Sequence, residues 1–419
     1  MMKIKNIEDV VNNHLCTGCG ACAYLAAESI EMIDDINVGR RPLISPEKKS
    51  KSFDALKFCP GWNIDRNDIK HDDLNSIQNL RMQWGNIYEV WEVYAVDDEV
   101  RKRGSSGGVI TALSLYCLEQ EKMSGVLNTH ASLSNPITND TSMSMNREQL
   151  LASSGSRYAP SSPCEKLGDI ESSSGPCVFV GKPCDAAAVH KIRKESKKLG
   201  EKLGLVVTFF CAGVPSTLGV KKLITSVGVT EDKKIEKLRF RGDGWPGLWV
   251  LKYWAGSKLK AKQLTYQESW GFLQSYRQWR CYICPDHTGE FSDLSVGDPW
   301  YKEIKDNDMG KSLVIVRTEV GKRILHAAAE AGYVILEKSD PSMLPKSQPN
   351  LITAKAVLWG RLFALKIVGA AVPQYKGFNL FNFWLKDLKL KQKLSSILGT
   401  VKRIFLKKLN VKYVINDGK

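Results

Sequence analysis

Short apolar runs and apolar-periodic segments alternate through the middle of the chain. Residues 81–98, RMQWGNIYEVWEVYAVDD, predict a strand region rich in Trp, Tyr and Val. RKRGSSGGVITALSLYCLEQEK then predicts a glycine-rich turn and a helix, and GVLNTHA a further strand. GPCVFVGKPCDAAAVHKIRK (175–194) and LGLVVTFFCAGVPSTLGVKKLI (203–224) each give strand, turn and helix. KSLVIVRTEVGKRILHAAAEAGYVIL (311–336) gives strand, helix and strand. That alternation predicts an α/β core with at least a partly parallel sheet, carrying α+β elements. The polar stretch 131–156 predicts a long loop or flap, and 235–300 short strands, turns and many aromatics.

The two ends differ from this core. Residues 1–75 hold a cysteine cluster, then an acidic stretch of helical character, then FCPGW at 58–62. Alternating β-branched runs are few there, so metal ligation is expected to supplement a small core. AVLWGRLFALKIVGAAV (356–372) is interrupted by Arg361 and Lys366 and predicts a partly buried helix rather than a membrane span. In residues 376–419 apolar positions recur at helical spacing among eleven Lys or Arg and two Asp. Such a segment suits an anionic membrane surface, an acidic partner, or a cover over the protein's own core. The expected divisions are 1–78, 79–345 and 346–419.

Composition narrows the setting. The 419 residues carry a formal charge of +15 and eleven cysteines, with 43% hydrophobic content. MMKIKNIEDVVNN does not read as a secretory signal, and clustered cysteines odd in number point to metal rather than disulfides. A cytoplasmic protein is expected, with peripheral attachment to the inner face of the membrane as the tail's alternative. The charge suits an acidic partner, an anionic cofactor or an anionic surface. Zinc-finger, RNP-like and homeodomain-like patterns are absent from the sequence, which leaves nucleic acid without support.

Cys16, Cys19 and Cys22 stand in CTGCGAC, and Cys59 precedes Pro60. CxxCxxC with a distant Cys-Pro is close to the ferredoxin-type arrangement for a [4Fe–4S] cluster, and all four are assigned to one cluster. Zinc is the alternative for four cysteines, although zinc knots use paired CxxC units. Cys184 in GKPCD, Cys211 in FFCAGVP, and Cys281 and Cys284 in CYICPDH form a looser set. By spacing alone this is equally a second metal site or a pair of buried small hydrophobes beside a CxxC. Cys117 and Cys177 fit apolar packing, and Cys164 fits either role. GSSGG at 104–108 suits a phosphate or pyrophosphate at a helix N-terminus, but equally a structural turn.

Taken in order, CTGCGAC with Cys59-Pro60, RKRGSSGGVITAL, GSRYAPS, VFVGKPCDAAAV, FFCAGVPS, RFRGDGWPG and CYICPDHTGEFSDLSVGD resemble the coenzyme F420 hydrogenase/dehydrogenase beta subunit family. That family also takes in 7-hydroxymethyl chlorophyll a reductase and bacterial proteins encoded with polysaccharide biosynthesis genes. The resemblance implies a ferredoxin-like cluster region attached to a mixed-sheet flavin-binding core. It implies a flavin-dependent oxidoreductase with FAD and two [4Fe–4S] clusters, the second on Cys184, Cys211, Cys281 and Cys284. It also implies that Ser105, Ser106, Gly107 and Gly108 contact the flavin. Lys182, Asp185 and Ala212 depart from residues common in that family, so F420 itself is not assumed as substrate.

Arg103, Arg157, Tyr158 and Lys182 lie beside these motif loops, with Arg241 and Asp243 next in RFRGDGWPG. Arg103, Arg241 and Asp243 are the candidates for holding the cofactor. Arg157, Lys182, Tyr158 and His287 are the candidates for substrate contact and proton transfer. The expected partners are a ferredoxin-like electron carrier and a small-molecule substrate. An electron-transfer subunit of a larger complex is the second reading, and a nucleic-acid protein with a structural cluster the third.

Overall fold

The computed structural model describes residues 3–45, 54–69, 77–305 and 307–415. Eight strands form its central sheet: β1 (Glu89–Ala95), β2 (Gly125–Ala131), β3 (Asn139–Ser144), β4 (Cys177–Gly181), β5 (Leu203–Phe209), β6 (Leu294–Gly297), β7 (Ser312–Val316) and β8 (Val334–Lys338). Their order is β8-β1-β7-β6-β5-β4-β2-β3. The four strands β2, β4, β5 and β6 run parallel, and antiparallel pairs flank them on both sides. The expected partly parallel α/β core is therefore present, and the antiparallel flanks make the sheet mixed.

Strand periodicity explains why both faces are covered. Val178, Leu205 and Val207 point into one apolar layer with the helix Val109–Glu119. Their neighbours Cys177, Phe179 and Val206 point into the opposite layer. That second layer also takes in Val10 and Leu15 near the N-terminus, and Leu358, Leu365 and Ile404 near the C-terminus. The two terminal regions thus share one core with the sheet. A buried carboxylate ties the same regions together: Glu290 pairs with Arg66 at 2.7 Å and Lys355 at 2.9 Å. Burial opposes its charge, but Lys355, Arg66 and Arg317 outweigh that and hold the carboxyl below its ordinary range.

Three segments differ from the sequence expectation. The acidic stretch after the first cysteines is a strand, Ile30–Asp35, paired antiparallel with Gly39–Ile44. Ile30, Met32 and Asp35 are buried along it, and the Asp35 carboxylate accepts the Asn37 and Val38 N–H groups at the turn. The strand region expected at 81–98 begins as the helix Gln78–Trp84, and only Glu89–Ala95 is extended. The polar stretch 131–156 contains β3 and the helix Arg147–Ala152, whose Asn146 cap accepts the Gln149 N–H at 3.0 Å. β3 buries Asn139, Thr141 and Ser144, a polar alternation that a hydrophobic pattern does not register.

A three-stranded sheet of Ile235–Arg239, Leu248–Ala255 and Lys258–Thr265 lies apart from the main one, around buried Trp249. The chain then ends in helices including Leu358–Ile367, Leu380–Asp387 and Leu390–Leu406. Among the described residues no helix is long and apolar enough to cross a membrane.

Candidate functional site

The C-terminal ends of β4, β5 and β6 open onto a cleft of ≈ 280 Å³. Parallel strands place their outgoing loops together at this edge, and those loops carry the chemistry in such sheets. One wall is the turn 104–108 with the first turn of helix Val109–Glu119. Gly107 and Gly108 have φ of +66° and +68°, open to glycine at little cost. A Cβ on Gly108 would stand 2.5 Å from the Val100 carbonyl oxygen. No side chain caps this helix, and its first residues, Val109, Ile110 and Thr111, line the cleft. Ser105 Oγ accepts the Ser156 N–H at 2.6 Å, and Ser106 Oγ donates to the Lys311 carbonyl at 2.8 Å. The turn is held rigidly on both sides.

Arg241 crosses to the same turn. Its guanidinium donates to the Ser105 carbonyl at 2.7 Å and to both carboxylate oxygens of Asp298 at 2.8 and 2.9 Å. The Tyr266 and Trp300 rings lie against it at 4.7 and 5.6 Å, and Trp245 Nε1 also donates to Asp298. Burial opposes the charge, yet Asp298 outweighs it and holds Arg241 above its ordinary value. Asp298 closes the motif that ends CYICPDHTGEFSDLSVGD, so a signal for it existed in the sequence.

Tyr158, Arg157 and Lys182 also line the cleft. Arg157 spends its fork on Asn139, Leu238, Pro136 and Thr138, all at 2.7–3.0 Å. Burial lowers it to about 10, so it remains charged while anchoring the loop. Lys182 is buried and ion-paired with Asp185 at 2.8 Å, and donates to Ser161 Oγ at 3.0 Å. Burial pushes the Tyr158 phenol up, which keeps it protonated as a donor. Arg103 and Asp243 do not line the cleft: each is partly exposed and pairs with a near neighbour, Glu99 and Arg239 respectively. His287 lies outside it as well, with Nδ1 2.9 Å from the Cys211 carbonyl oxygen. Burial draws that imidazole down to about 4.

The eight motif cysteines gather in two groups of four. Burial first, then the charges of Cys19 and Cys16, push Cys59 up to about 12; Cys22 is raised by burial and by Cys19, Cys16 and Cys59. Burial likewise raises Cys211 to about 12, with Cys281 and Cys284 adding repulsion, and Cys184 feels Cys211 and Cys284. Clustered cysteine sulfurs of this kind suit a soft metal or an iron–sulfur cluster, so both groups fit one. Among the described residues no three metal-ligating side chains converge tightly enough for a single ion.

Two features join these groups. Buried Arg280 donates to the Pro60 carbonyl at 2.8 Å on one side and the Ile283 carbonyl at 3.3 Å on the other. Cys164, whose role the sequence left undecided, is buried against Cys19 and donates from Sγ to the Asp185 carbonyl at 3.6 Å. The Cys164 N–H also donates to the Cys19 carbonyl at 2.9 Å, so hydrogen bonds through Cys164 run from Cys19 to Asp185, the residue after Cys184. Cys211 itself lines the cleft, bringing the second group to its wall.

Residues 90–167 match the family model of the N-terminal part of the "Coenzyme F420 hydrogenase/dehydrogenase, beta subunit", and residues 176–342 match the model of its C-terminal part. The chain belongs to this family. It is 25% identical over 263 residues to the coenzyme F420 hydrogenase subunit beta of Methanococcus voltae, covering 62% of this chain and 87% of that one. It is 24% identical to the coenzyme F420-dependent sulfite reductase of Methanocaldococcus jannaschii over 79% of this chain, which spans 49% of that enzyme. Among solved structures, a chain of the F420-reducing [NiFe] hydrogenase complex from Methanosarcina barkeri aligns with a TM-score of 0.53 at 20% identity. That alignment covers 70% of this chain and 96% of the other, and it establishes the mixed α/β fold. The family's named members are components of oxidoreductases.

Proposed function

We propose that this chain is an iron–sulfur flavoprotein that moves electrons between a ferredoxin-like carrier and a small substrate. It would hold two [4Fe–4S] clusters, one on Cys16, Cys19, Cys22 and Cys59 and one on Cys184, Cys211, Cys281 and Cys284. FAD would occupy the cleft, with its pyrophosphate at the helix N-terminus after Gly108. A bound flavin joins one-electron transfer at clusters to two-electron chemistry on a substrate. One observation carries the reading: two groups of four clustered thiols, the second reaching the wall of a cleft that is also lined by a helix N-terminus without a side-chain cap.

The chain's own residues have defined tasks in this scheme. Arg241, clamped by Asp298, supports the turn at Ser105 rather than meeting the ligand directly. Tyr158 supplies a protonated phenol to the cleft, and Lys182 places a buried positive charge between Cys184 and the cleft. Arg157 anchors the loop that carries Tyr158. The neutral His287 supports the Cys211 backbone and offers its remaining nitrogen for hydrogen bonding.

The test is anaerobic purification with iron, sulfide, zinc and flavin measured on one sample. About eight irons, about eight sulfides and about one FAD per chain are expected. Cys59→Ser and Cys281→Ser should each remove about four irons. Zinc without sulfide, or no iron loss in either variant, overturns the assignment. A second reading, an electron-transfer subunit within a larger complex, draws support from the relatives that are named as hydrogenase subunits. That reading expects the reduced, isolated protein to pass electrons only to a redox partner protein.

A further inference from the structure

The helix Leu390–Leu406 turns its most apolar face away from the protein. It is fixed to the body through Ser396, Thr400 and Ile404, which are buried. A Cβ on Gly360, in the helix Leu358–Ile367, would collide with Ser396 Oγ, so the two helices meet with only small groups between them. Trp384 Nε1 donates to the same hydroxyl at 3.0 Å. With the small polar residues inside, the leucines are left outside. Leu390 is 72% exposed, Leu394 51%, Leu398 65% and Phe405 59%. Their spacing places all four on one stripe of the helix. Of the 22 large apolar side chains exposed among the described residues, 11 lie between Phe363 and Val414. The apolar surface is concentrated here and not scattered as on an ordinary solvated face.

Charge decides what covers it. The last 44 residues hold eleven Lys or Arg and two Asp, which is +9 of the chain's +15, and no acid occurs within the helix. Exposed Lys391 and Lys402 run along one edge of the stripe, while half-buried Lys393, on the other side, donates to the Leu385 carbonyl at 2.7 Å and lies 5.6 Å over the Trp384 ring. A second copy of this chain would set lysines against lysines across a twofold axis. An apolar stripe bordered by cations matches a layer that is apolar inside and anionic at its surface.

We propose that this helix lies on the surface of an anionic lipid bilayer. Leu390, Leu394, Leu398 and Phe405 enter the interface, and the lysines extend to the headgroup phosphates. The chain rests on the membrane without crossing it. This inference stands on the C-terminal helices alone, so its failure leaves the redox reading untouched.

Flotation of the full-length protein with lipid vesicles tests it. The protein should float with vesicles of phosphatidylcholine mixed with phosphatidylglycerol, not with phosphatidylcholine alone, and raised salt should weaken binding. The double substitution Leu394→Glu and Leu398→Glu, at two exposed positions, should keep the melting temperature and bind at least about tenfold more weakly. No flotation with the anionic vesicles, or equal flotation of the double variant, overturns the proposal. So does self-association that the double variant abolishes when neither protein floats. Retention on polyglutamate as strong as on the vesicles would assign the face to an acidic protein instead.

Discussion

The Arg241 guanidinium has both ends of its fork on Asp298 and the stacked Tyr266 and Trp300 rings beside it, so its charge is paired within the protein. Asp298→Asn would leave that buried cation half paired. The expected cost is about 3 kcal/mol in urea unfolding, with loss of FAD from the purified protein. Cys164 acts on a smaller scale. Its thiol lies beside Cys19 and donates to the Asp185 carbonyl; turned instead to the sulfur of a cluster held at Cys19, the same S–H would stabilise the reduced, more negative state. Cys164→Ala is expected to keep the full iron content and to lower one cluster's midpoint potential in an EPR-monitored titration. Unchanged potentials would reduce Cys164 to a packing residue. The role of Cys164 was not legible in the sequence, because a single Cys in a loop carries no spacing to read, whereas Asp298 closes a motif.

The turn at 104–108 shows how an element converts sequence into a binding wall. Its glycines fit because Gly107 and Gly108 are left-handed and the backbone of Val100 leaves no room for a Cβ. Gly108→Ala should cost at least about 2 kcal/mol, from the strained φ and the displaced carbonyl together. Flavin content should fall with it, while iron on Cys16, Cys19, Cys22 and Cys59 stays bound. The apolar elements of the main sheet were readable in outline, since β4, β5 and β7 are continuous buried runs. β3 was not, because it buries asparagine, threonine and serine through cross-strand pairing. The hairpin at 30–44 was missed for a related reason: acidic side chains obscured the alternation of Ile30 and Met32.

Across the molecule, one apolar layer and one buried carboxylate join both ends of the chain to the sheet. His190 belongs to this layer, its ring 5.3 Å from that of Phe291. Burial draws it down to about 4 from an ordinary 6.5, so the folded protein resists protonation that the unfolded chain accepts. Stability should therefore be full above about pH 6.5 and decline as pH falls towards 4, by about 2 kcal/mol at pH 5 from this residue. His190→Gln should flatten that part of the urea-unfolding profile. An unchanged slope would show that His190 binds its proton equally well in the folded and unfolded chain. The net charge acts over longer distances, and reduction by an acidic carrier should slow as salt rises.

Local pattern by itself determined the chemistry available: cysteine spacing, a glycine-serine turn before a helix, and alternating strands and helices are all written within short windows. It also determined that the C-terminal helix is amphipathic and basic. Tertiary structure alone decided which residues meet. Cys211 reaches the cleft because β5 ends there, Arg103 and Asp243 turn to neighbours instead, and Arg241, which lines the cleft, is paired with Asp298. Likewise only the packed fold shows that Ser396 and Thr400 face inward and the leucines outward. Such choices rest on contacts between segments far apart in the chain, and no local window contains them.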